Sequence, residues 1–252
     1  MKLSHLFFGF AAIILMGCKN DSFEVSDISA ERIPVNEKIQ GDTAIQNFIK
    51  PYKEHLNNTL DSALIYNPKL LNKSDGDLNS ALGNFMADVV MEQANPVFKA
   101  RTGKNIDFVL LNKGGIRAEL PKGNLTARNA YELMPFENEI VIAELSGKKV
   151  KEMLDYLSQA KSAHPVSGIK LTADKDYKII DARIHGKEID TNKTYFVATS
   201  DYLQQGGDSM NFFKDPVNLY GADYKIRNAI IDYFKKHDTL KAEIDDRYTR
   251  QQ

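Results

Sequence analysis

The spacing of hydrophobic residues predicts helices towards both ends of this chain. Apolar side chains recur every three to four positions over Thr43–Leu60, and again from Leu82 to Val90. That period is typical of an amphipathic helix. Pro51 lies inside the first pattern, so we expect it to kink or split that helix. Later patterns of the same period predict helices around residues 150–157 and 224–237.

Between these helices the apolar pattern changes to that of β-strands. Residues 106–111 form a continuous apolar run, and Glu139–Leu145 alternates with period two. Three more strands are predicted, at residues 169–173, 177–184 and 194–199. Helices first and last, with strands clustered between them, favour an α+β fold in which helices pack on a mixed β-sheet.

Polar and glycine-containing segments predict where the chain turns. Residues 72–77 (NKSDGD) are interpreted as a loop, residues 123–124 as a turn and residues 185–188 (HGKE) as a hairpin turn. Thr126 is the predicted N-cap of a short helix that ends before Pro135.

The first eighteen residues differ from the rest of the chain. A short basic start precedes an apolar run, Leu6–Met16, which is too short for a spanning helix of about 20 residues. The run ends in "LMGC", which resembles a bacterial lipoprotein signal. The predicted organisation is a signal peptide (1–17), a flexible tether (18–36) and a folded domain (37–252).

Cys18 is the only cysteine, so the chain cannot form an internal disulfide. A chance thiol is the alternative to a functional role. Because Cys18 follows a small residue at the end of the apolar run, we expect it to be lipidated. The lipid would anchor the domain to a membrane in the bacterial cell envelope, facing the periplasm or the outer surface.

Composition and charge exclude several classes of protein. The chain has 252 residues, 42% of them hydrophobic, and a formal net charge of −1. These values are typical of a soluble globular domain, and they predict no nucleic-acid polymer as partner. The five histidines are scattered, with no His-x-His and no His-Glu-x-x-His, and no Gly-x-Ser-x-Gly elbow is present. We therefore predict no catalytic and no metal-binding residue, and we interpret the histidines as surface or turn residues.

The segment "LNKGGIRAEL", residues 111–120, follows the predicted strand at 106–111. Gly114 and Gly115 would let the backbone approach a ligand and leave N–H groups free to face an anion. Arg117 offers a planar guanidinium suited to phosphate or carboxylate. The alternative is a glycine turn with a solvent-facing arginine.

Two further segments have a composition that suits a binding site. "PFEN", residues 135–138, places Phe136 and Asn138 just after a proline. "SDYLQQGGDS", residues 200–209, follows a predicted strand. It contains Tyr202, Gly206, Gly207 and Asp208. A buried phenylalanine beside a turn and an ordinary loop are the alternatives for these two segments.

Together the three segments contain the side chains that a nucleotide or nucleoside needs. Two aromatic rings can stack on a planar base. A carboxylate can accept hydrogen bonds from ribose hydroxyls, and an arginine can pair with a phosphate.

The order of these motifs resembles the C-terminal domain of the 5'-nucleotidase family, which includes the UDP-sugar hydrolases and ecto-5'-nucleotidases. The resemblance covers roughly residues 35–240. The stretches that carry it are "LNSALGNFMADVV", "LNKGGIRAELPKGNLTARNAYELMPFENEIVIAELSGKKVKEML", "SGIKLT" and "TYFVATSDYLQQGGDSMNFF".

The resemblance implies a role for individual residues. Asn112 and Arg117 are similar to the family's ligand-contacting asparagine and arginine. Phe136 and Tyr202 are similar to its two base-stacking aromatics, with tyrosine where the family usually has phenylalanine. Asp208 resembles the ribose-binding aspartate and Asn138 a base-contacting asparagine.

Two features depart from the family. The family usually has further arginines before the "GN" helix, whereas this sequence has only Lys69 and Lys73 there, so phosphate binding is open. The family's metallophosphoesterase domain, which holds two metal ions and performs the hydrolysis, is absent from this sequence. We therefore expect divalent metals only in a partner, and no hydrolysis by this chain alone.

These observations lead to two main hypotheses. The chain is the nucleotide-binding half of a split 5'-nucleotidase that works with a separate metallophosphoesterase. Alternatively, it is a stand-alone envelope lipoprotein that binds nucleotides or nucleosides without catalysis. Two further alternatives are a structural remnant that binds no ligand and a complete phosphatase whose catalytic residues are not recognisable in the sequence.

Overall fold

The computed structural model describes Val25 and residues 27–251. The predicted signal peptide and Cys18 lie outside the described residues, so lipidation stays a prediction. Residues 27–36 of the predicted tether form neither helix nor strand and are exposed. The chain divides into one compact unit that ends at Ile49 and a second that begins at Lys50.

The helices and strands are numbered here in chain order. The helices are α1 (Thr43–Leu60), α2 (Ala81–Thr102), α3 (Ala127–Leu133), α4 (Gly147–Ala160), α5 (Asp201–Gln204) and α6 (Ile226–Lys236). The strands are β1 (Ala63–Asn67), β2 (Phe108–Leu110), β3 (Gly123–Thr126), β4 (Glu139–Ser146), β5 (Val166–Ser167), β6 (Ile169–Ala173), β7 (Ile179–Ile184), β8 (Lys187–Glu188), β9 (Thr194–Ser200), β10 (Asn218–Lys225) and β11 (Tyr248–Arg250).

The centre of the second unit is a five-stranded mixed sheet with the order β10-β4-β9-β2-β5. β2 and β9 run parallel, and the other neighbours are antiparallel. Side chains of consecutive residues point to opposite faces of a sheet. Accordingly, Val109 belongs to one hydrophobic core and Leu110 to another. α2 and α6 cover the first face and α4 covers the second. The predicted mixed sheet packed by helices is therefore present.

Two smaller sheets complete the fold. One has the order β11-β6-β7-β8, in which β11 and β6 are parallel, and the other pairs β1 with β3. Among the described residues, no helix combines the length and apolar composition that a membrane crossing requires.

The structure corrects the sequence predictions at α1. This helix runs unbroken through Pro51, so the predicted split is absent. Ile45, Ile49 and Leu56, which set its helical period, are exposed. On an exposed helix, water can bond to the carbonyl that proline leaves without a donor, which lowers the cost of the proline.

Other differences concern short or edge strands. β1, β10 and β11 were not predicted, and Gly123 begins a strand where the sequence predicts a turn. β10 is an edge strand with a register shift between Gly221 and Lys225, so its side chains do not alternate cleanly. β10 extends to Lys225, so the last helix begins at Ile226 rather than near Tyr224. The predicted N-cap at Thr126 is confirmed: it directly precedes α3 with extended backbone. Its N–H donates to Asn129 Oδ1 at 2.9 Å.

Candidate ligand-binding site

The sheet topology brings the three predicted segments to one edge. β2 and β9 are parallel neighbours, so the segments that follow Leu110 and Ser200 leave the sheet at the same end of the strands. β4 is antiparallel to β9, and Ile140 lies opposite Ser200. The segment that precedes β4 therefore reaches this edge as well, which explains why residues so far apart in sequence meet.

A cavity of about 320 Å³ lies at this edge of the sheet. Eight of the ten residues that the sequence singled out line it: Asn112, Gly114, Gly115, Arg117, Phe136, Asn138, Tyr202 and Asp208. The volume is at the lower end of the range for small-molecule sites, about 300–1,000 Å³. Phe136 and Tyr202 are 41% and 46% exposed, so both rings have accessible area for a ligand.

The other two predicted residues shape the cavity without lining it. Gly206 has φ +92°, in the left-handed region that favours glycine. A Cβ on Gly207 would lie 2.4 Å from Cε1 of Tyr202. The Tyr202 ring therefore packs directly on the backbone of Gly207.

Gly115 also acts differently from the prediction. Residues 113–115 form a 3₁₀ turn, in which the Gly115 N–H donates to the Asn112 carbonyl at 3.1 Å. The amide of Gly115 is thus engaged within the turn and is not free for an anion. A Cβ on Gly115 would lie 2.8 Å from Asn112 Oδ1, so glycine here makes room for the asparagine side chain.

Asp208 is the centre of the polar contacts in the cavity. Asn112 Nδ2 donates to its Oδ2 at 2.6 Å, and the Tyr202 hydroxyl donates to its Oδ1 at 2.9 Å. The Tyr156 hydroxyl donates to its backbone carbonyl at 3.0 Å. Asp208 and Ser209 have φ of 51° and 62°, which is uncommon for residues other than glycine. These bonds hold Asp208 in a backbone conformation that an aspartate seldom adopts, and they fix the direction of its carboxylate.

Arg117 lies beside the aromatic wall of the cavity. Its Cζ is 5.9 Å from the centroid of the Phe136 ring, a distance at which a cation and a π-system attract each other. Its Nη1 donates to the Gly114 carbonyl at 3.4 Å. The cavity therefore has a cation, two aromatic rings and a carboxylate along its wall.

A family model described as "5'-nucleotidase, C-terminal domain" matches residues 62–215. These residues make up more than half of the chain and include the whole cavity. The chain belongs to this family.

Two known proteins are similar in sequence to this chain. The chain is 28% identical over 214 residues to the trifunctional nucleotide phosphoesterase protein YfkN of Bacillus subtilis, which covers 77% of this chain and 14% of that protein. It is 31% identical to the cell wall protein Lmo0130 of Listeria monocytogenes, which covers 65% of this chain and 22% of that protein. The chain thus spans less than a quarter of the length of these two relatives.

The fold is also that of a solved structure. A 5'-nucleotidase precursor from Thermus thermophilus superposes with a TM-score of 0.68 at 21% identity. The match covers 82% of this chain and 42% of that chain. At this identity the likeness concerns the fold alone.

The region before α2 lacks the arginines that the resemblance to the 5'-nucleotidase C-terminal domain family suggests are usual. Its two lysines lie in different places. Lys73 Nζ donates to the Ile116 carbonyl at 2.6 Å, and Lys73 and Arg117 line a second, smaller cavity together. A lysine thus stands next to the site arginine. Lys69 lies elsewhere, beside Asp88 and Arg247.

His164 corrects the interpretation of all histidines as surface or turn residues. It is only 7% exposed, and its Nδ1 accepts the Lys113 N–H at 3.3 Å. Its ring lies 5.7 Å from that of Tyr156. Burial is the main cause that lowers the pKa of His164 to about 4. The neutral ring therefore supports the Lys113–Gly115 turn from behind.

Sequence reasoning also missed Asp201. Its Oδ1 accepts the N–H of Glu139 at 3.2 Å and that of Tyr202 at 2.8 Å. One carboxylate thus joins the start of β4 to the segment that carries Tyr202. Its place directly after a predicted strand was a signal, but the partner 62 residues away could not be read from the sequence.

Among the described residues, no three His, Cys, Asp or Glu side chains are arranged to hold a metal ion. This part of the chain therefore does not fit the two-metal site of a phosphoesterase.

Proposed function

We propose that this chain binds a nucleotide or nucleoside and presents it to a separate metallophosphoesterase, as the binding half of a split 5'-nucleotidase. The observation that carries the proposal is the single cavity shared by Arg117, Phe136, Tyr202 and Asp208. Each of these side chains suits one part of a nucleotide. One relative, a trifunctional nucleotide phosphoesterase protein, supports the same ligand class.

The roles follow from the chemistry of the side chains. Phe136 and Tyr202 would stack on the base, and Asn138 would contact its edge. Asp208 would accept from the ribose hydroxyls, and Arg117 would pair with the phosphate, with Lys73 as a second cation nearby. Asn112 would hold Asp208 in place through the bond between their side chains.

The expected affinity is modest. Two stacked faces contribute about 2–6 kcal/mol, and one charge-assisted contact contributes about 1.5–3 kcal/mol. Association itself costs several kcal/mol or more. The remainder is at most about 5 kcal/mol, which corresponds to a dissociation constant of about 0.2 mM or weaker. Such binding suits a half-site that a partner completes.

A stand-alone binding lipoprotein is the second candidate, and the accessible rings favour it as well, because a ligand can enter without a partner. Affinity separates the two. Calorimetry with AMP, UMP and adenosine on the isolated protein should give constants of about 0.2 mM or weaker under the first proposal. A nanomolar constant would support the second.

Binding by the cavity itself needs its own test. Phe136→Ala and Tyr202→Ala should each weaken AMP binding, whereas Tyr66→Ala, which removes an exposed aromatic outside the cavity, should not. Unchanged binding in both cavity variants would exclude this site. For the partner, the protein is added to exported metallophosphoesterases with AMP as substrate. An unchanged KM and turnover with each of them would contradict presentation.

The remaining proposals concern location. We propose that Cys18 is lipidated and that the domain lies in the cell envelope, a location that the cell wall protein among the relatives supports. Mass spectrometry of the membrane fraction should detect a diacylglycerol modification that Cys18→Ser removes.

A further inference from the structure

Arg227 is a buried arginine in the first turn of α6, next to the segment that carries Phe136. Its side chain is 6% exposed. Nη1 donates to the carbonyls of Pro135 at 3.2 Å and Phe136 at 3.4 Å. Nη2 forms an ion pair with Glu137. One guanidinium thus contacts three consecutive residues of the turn.

A second backbone bond fixes the same turn to the same helix. The Ile226 N–H donates to the Asn138 carbonyl at 3.1 Å. Three of the four carbonyls of residues 135–138 therefore bond to the start of α6. Lys225 adds an ion pair to Glu137. Nothing in the sequence pattern connects these two segments, which lie about 90 residues apart.

The position of Arg227 is costly for protein stability. A cation in the first turn of a helix faces the positive end of the helix dipole. Burying a guanidinium requires partners for its donors, yet Nε has none among the residues that the structure describes. A cation–π contact with Tyr131, whose ring centroid lies 4.1 Å from Arg227 Cζ, offsets only part of this cost. A hydrophobic side chain would fill such a place more cheaply.

We infer that Arg227 is a positioning residue for ligand binding: it holds the 135–138 turn so that the Phe136 ring forms a fixed wall of the cavity. The inference rests on the proposed function, because it assumes that Phe136 contacts the ligand. Arg227 itself does not line the cavity, and it acts only through the turn.

The physical argument concerns the freedom of the ring. Phe136 is 41% exposed, so its side chain alone does not fix its direction. The backbone that carries it is fixed by the Arg227 bonds to two carbonyls. The main cause that lowers the pKa of Glu137 to about 2 is its hydrogen bond from Arg227, followed by that from Lys225. The ion pair therefore persists across the neutral pH range.

The chain offers a direct spectroscopic test, because it contains no tryptophan. Phe136→Trp introduces a single fluorophore at the wall. Adding Arg227→Met should lower the fluorescence anisotropy of this indole and increase its quenching by acrylamide. Arg101→Met is the matched control, since Arg101 also donates to a carbonyl, that of Gly221, and pairs with a carboxylate.

Binding of adenosine then tests the consequence for function through a double-mutant cycle. Arg227→Met should weaken adenosine binding about fivefold, the lower end of what one lost stack costs. In a Phe136→Ala background, Arg227→Met should weaken adenosine binding less than about twofold. A change of that size is within the usual deviation from additivity between independent sites. An equal loss in both backgrounds would overturn the inference, since Arg227 would then not act through Phe136.

The outcomes separate the inference from the proposed function. If Phe136→Ala leaves adenosine binding intact, the proposed function fails, and the indole measurement still decides whether Arg227 holds the turn. If Phe136→Ala weakens binding but Arg227→Met does not, only the inference fails. Should Arg227→Met not fold, Arg227→Lys keeps the cation but lacks the planar fork that bonds the two carbonyls and Glu137 at once. It should then shift anisotropy and quenching in the same direction, and no shift would overturn the inference.

Discussion

Tyr202 donates a hydrogen bond from its hydroxyl to Oδ1 of Asp208 at 2.9 Å. The same hydroxyl accepts the Asp208 N–H at 3.3 Å. This pair joins an aromatic wall of the cavity to its carboxylate. A phenylalanine at position 202, as the resemblance to the family suggests is usual, could not form either bond.

The pair leads to a first prediction about Tyr202. Tyr202→Phe should retain the stack and keep adenosine affinity close to that of the wild type, while lowering the free energy of unfolding by about 0.5–1.5 kcal/mol. Tyr202→Ala should lose about 1–3 kcal/mol of binding. Calorimetry and urea unfolding measure the two effects. Equal losses of affinity in both variants would assign the contribution to the hydroxyl instead.

Gly207→Ala should weaken adenosine binding by displacing the Tyr202 ring. The new Cβ would lie 2.4 Å from that ring, so the ring must move, and up to about 1–3 kcal/mol of stacking is lost. The ring is half-exposed and has room to shift, so unfolding should change little. Gly221→Ala is the control, because its Cβ would be 3.7 Å from Asp223, an ordinary contact. Binding as tight as in that control would contradict the prediction.

Arg117→Met should separate nucleotides from nucleosides. A charge-assisted contact contributes about 1.5–3 kcal/mol, so the AMP affinity should fall by that amount while the adenosine affinity stays the same. Arg128→Met, which removes an arginine that pairs with Asp61 outside the cavity, should change neither. Competition binding with both ligands measures the ratio. A similar loss for adenosine would show that Arg117 supports the Phe136 ring rather than a phosphate.

His164 should make stability depend on pH. Its pKa is about 4 in the folded protein, against an ordinary value of 6.5, so the unfolded chain binds the extra proton first. The contribution of the neutral ring is complete above about pH 6.5 and is lost as the pH falls towards 4, by at most about 3 kcal/mol. The free energy of unfolding of His164→Gln, measured with urea between these pH values, should change less with pH than that of the wild type. His55→Gln, at an exposed position on α1, should show the same dependence on pH as the wild type.

The site was largely accessible from the sequence because its chemistry lies in short segments at strand ends. Asn112, Phe136 and Tyr202 each follow or precede a strong apolar strand. Their meeting could only be expected by resemblance, since periodicity does not give strand order. The order β4-β9-β2 is what places the three ends together.

The supporting residues were not accessible in the same way. Arg227 and His164 carry no local pattern that distinguishes them from surface residues, and a lone histidine indicates little. Their roles depend on partners about 90 and 51 residues away. The apolar period of α1 shows the same limit. It predicted the helix, but it did not show that the apolar side chains of the helix are exposed.

The sequence by itself determined the main helices and the central strands of the 5'-nucleotidase C-terminal fold, together with the side chains available for a ligand, because backbone preference and apolar period are local properties. Only the tertiary structure decided which polar groups pair. In the folded chain, Asp208 bonds to Tyr202 and Asn112, and the Gly115 amide bonds within its own turn. Arg227 and His164 are buried. These contacts depend on distances between segments remote in sequence, and such distances are set by how the sheet and helices pack.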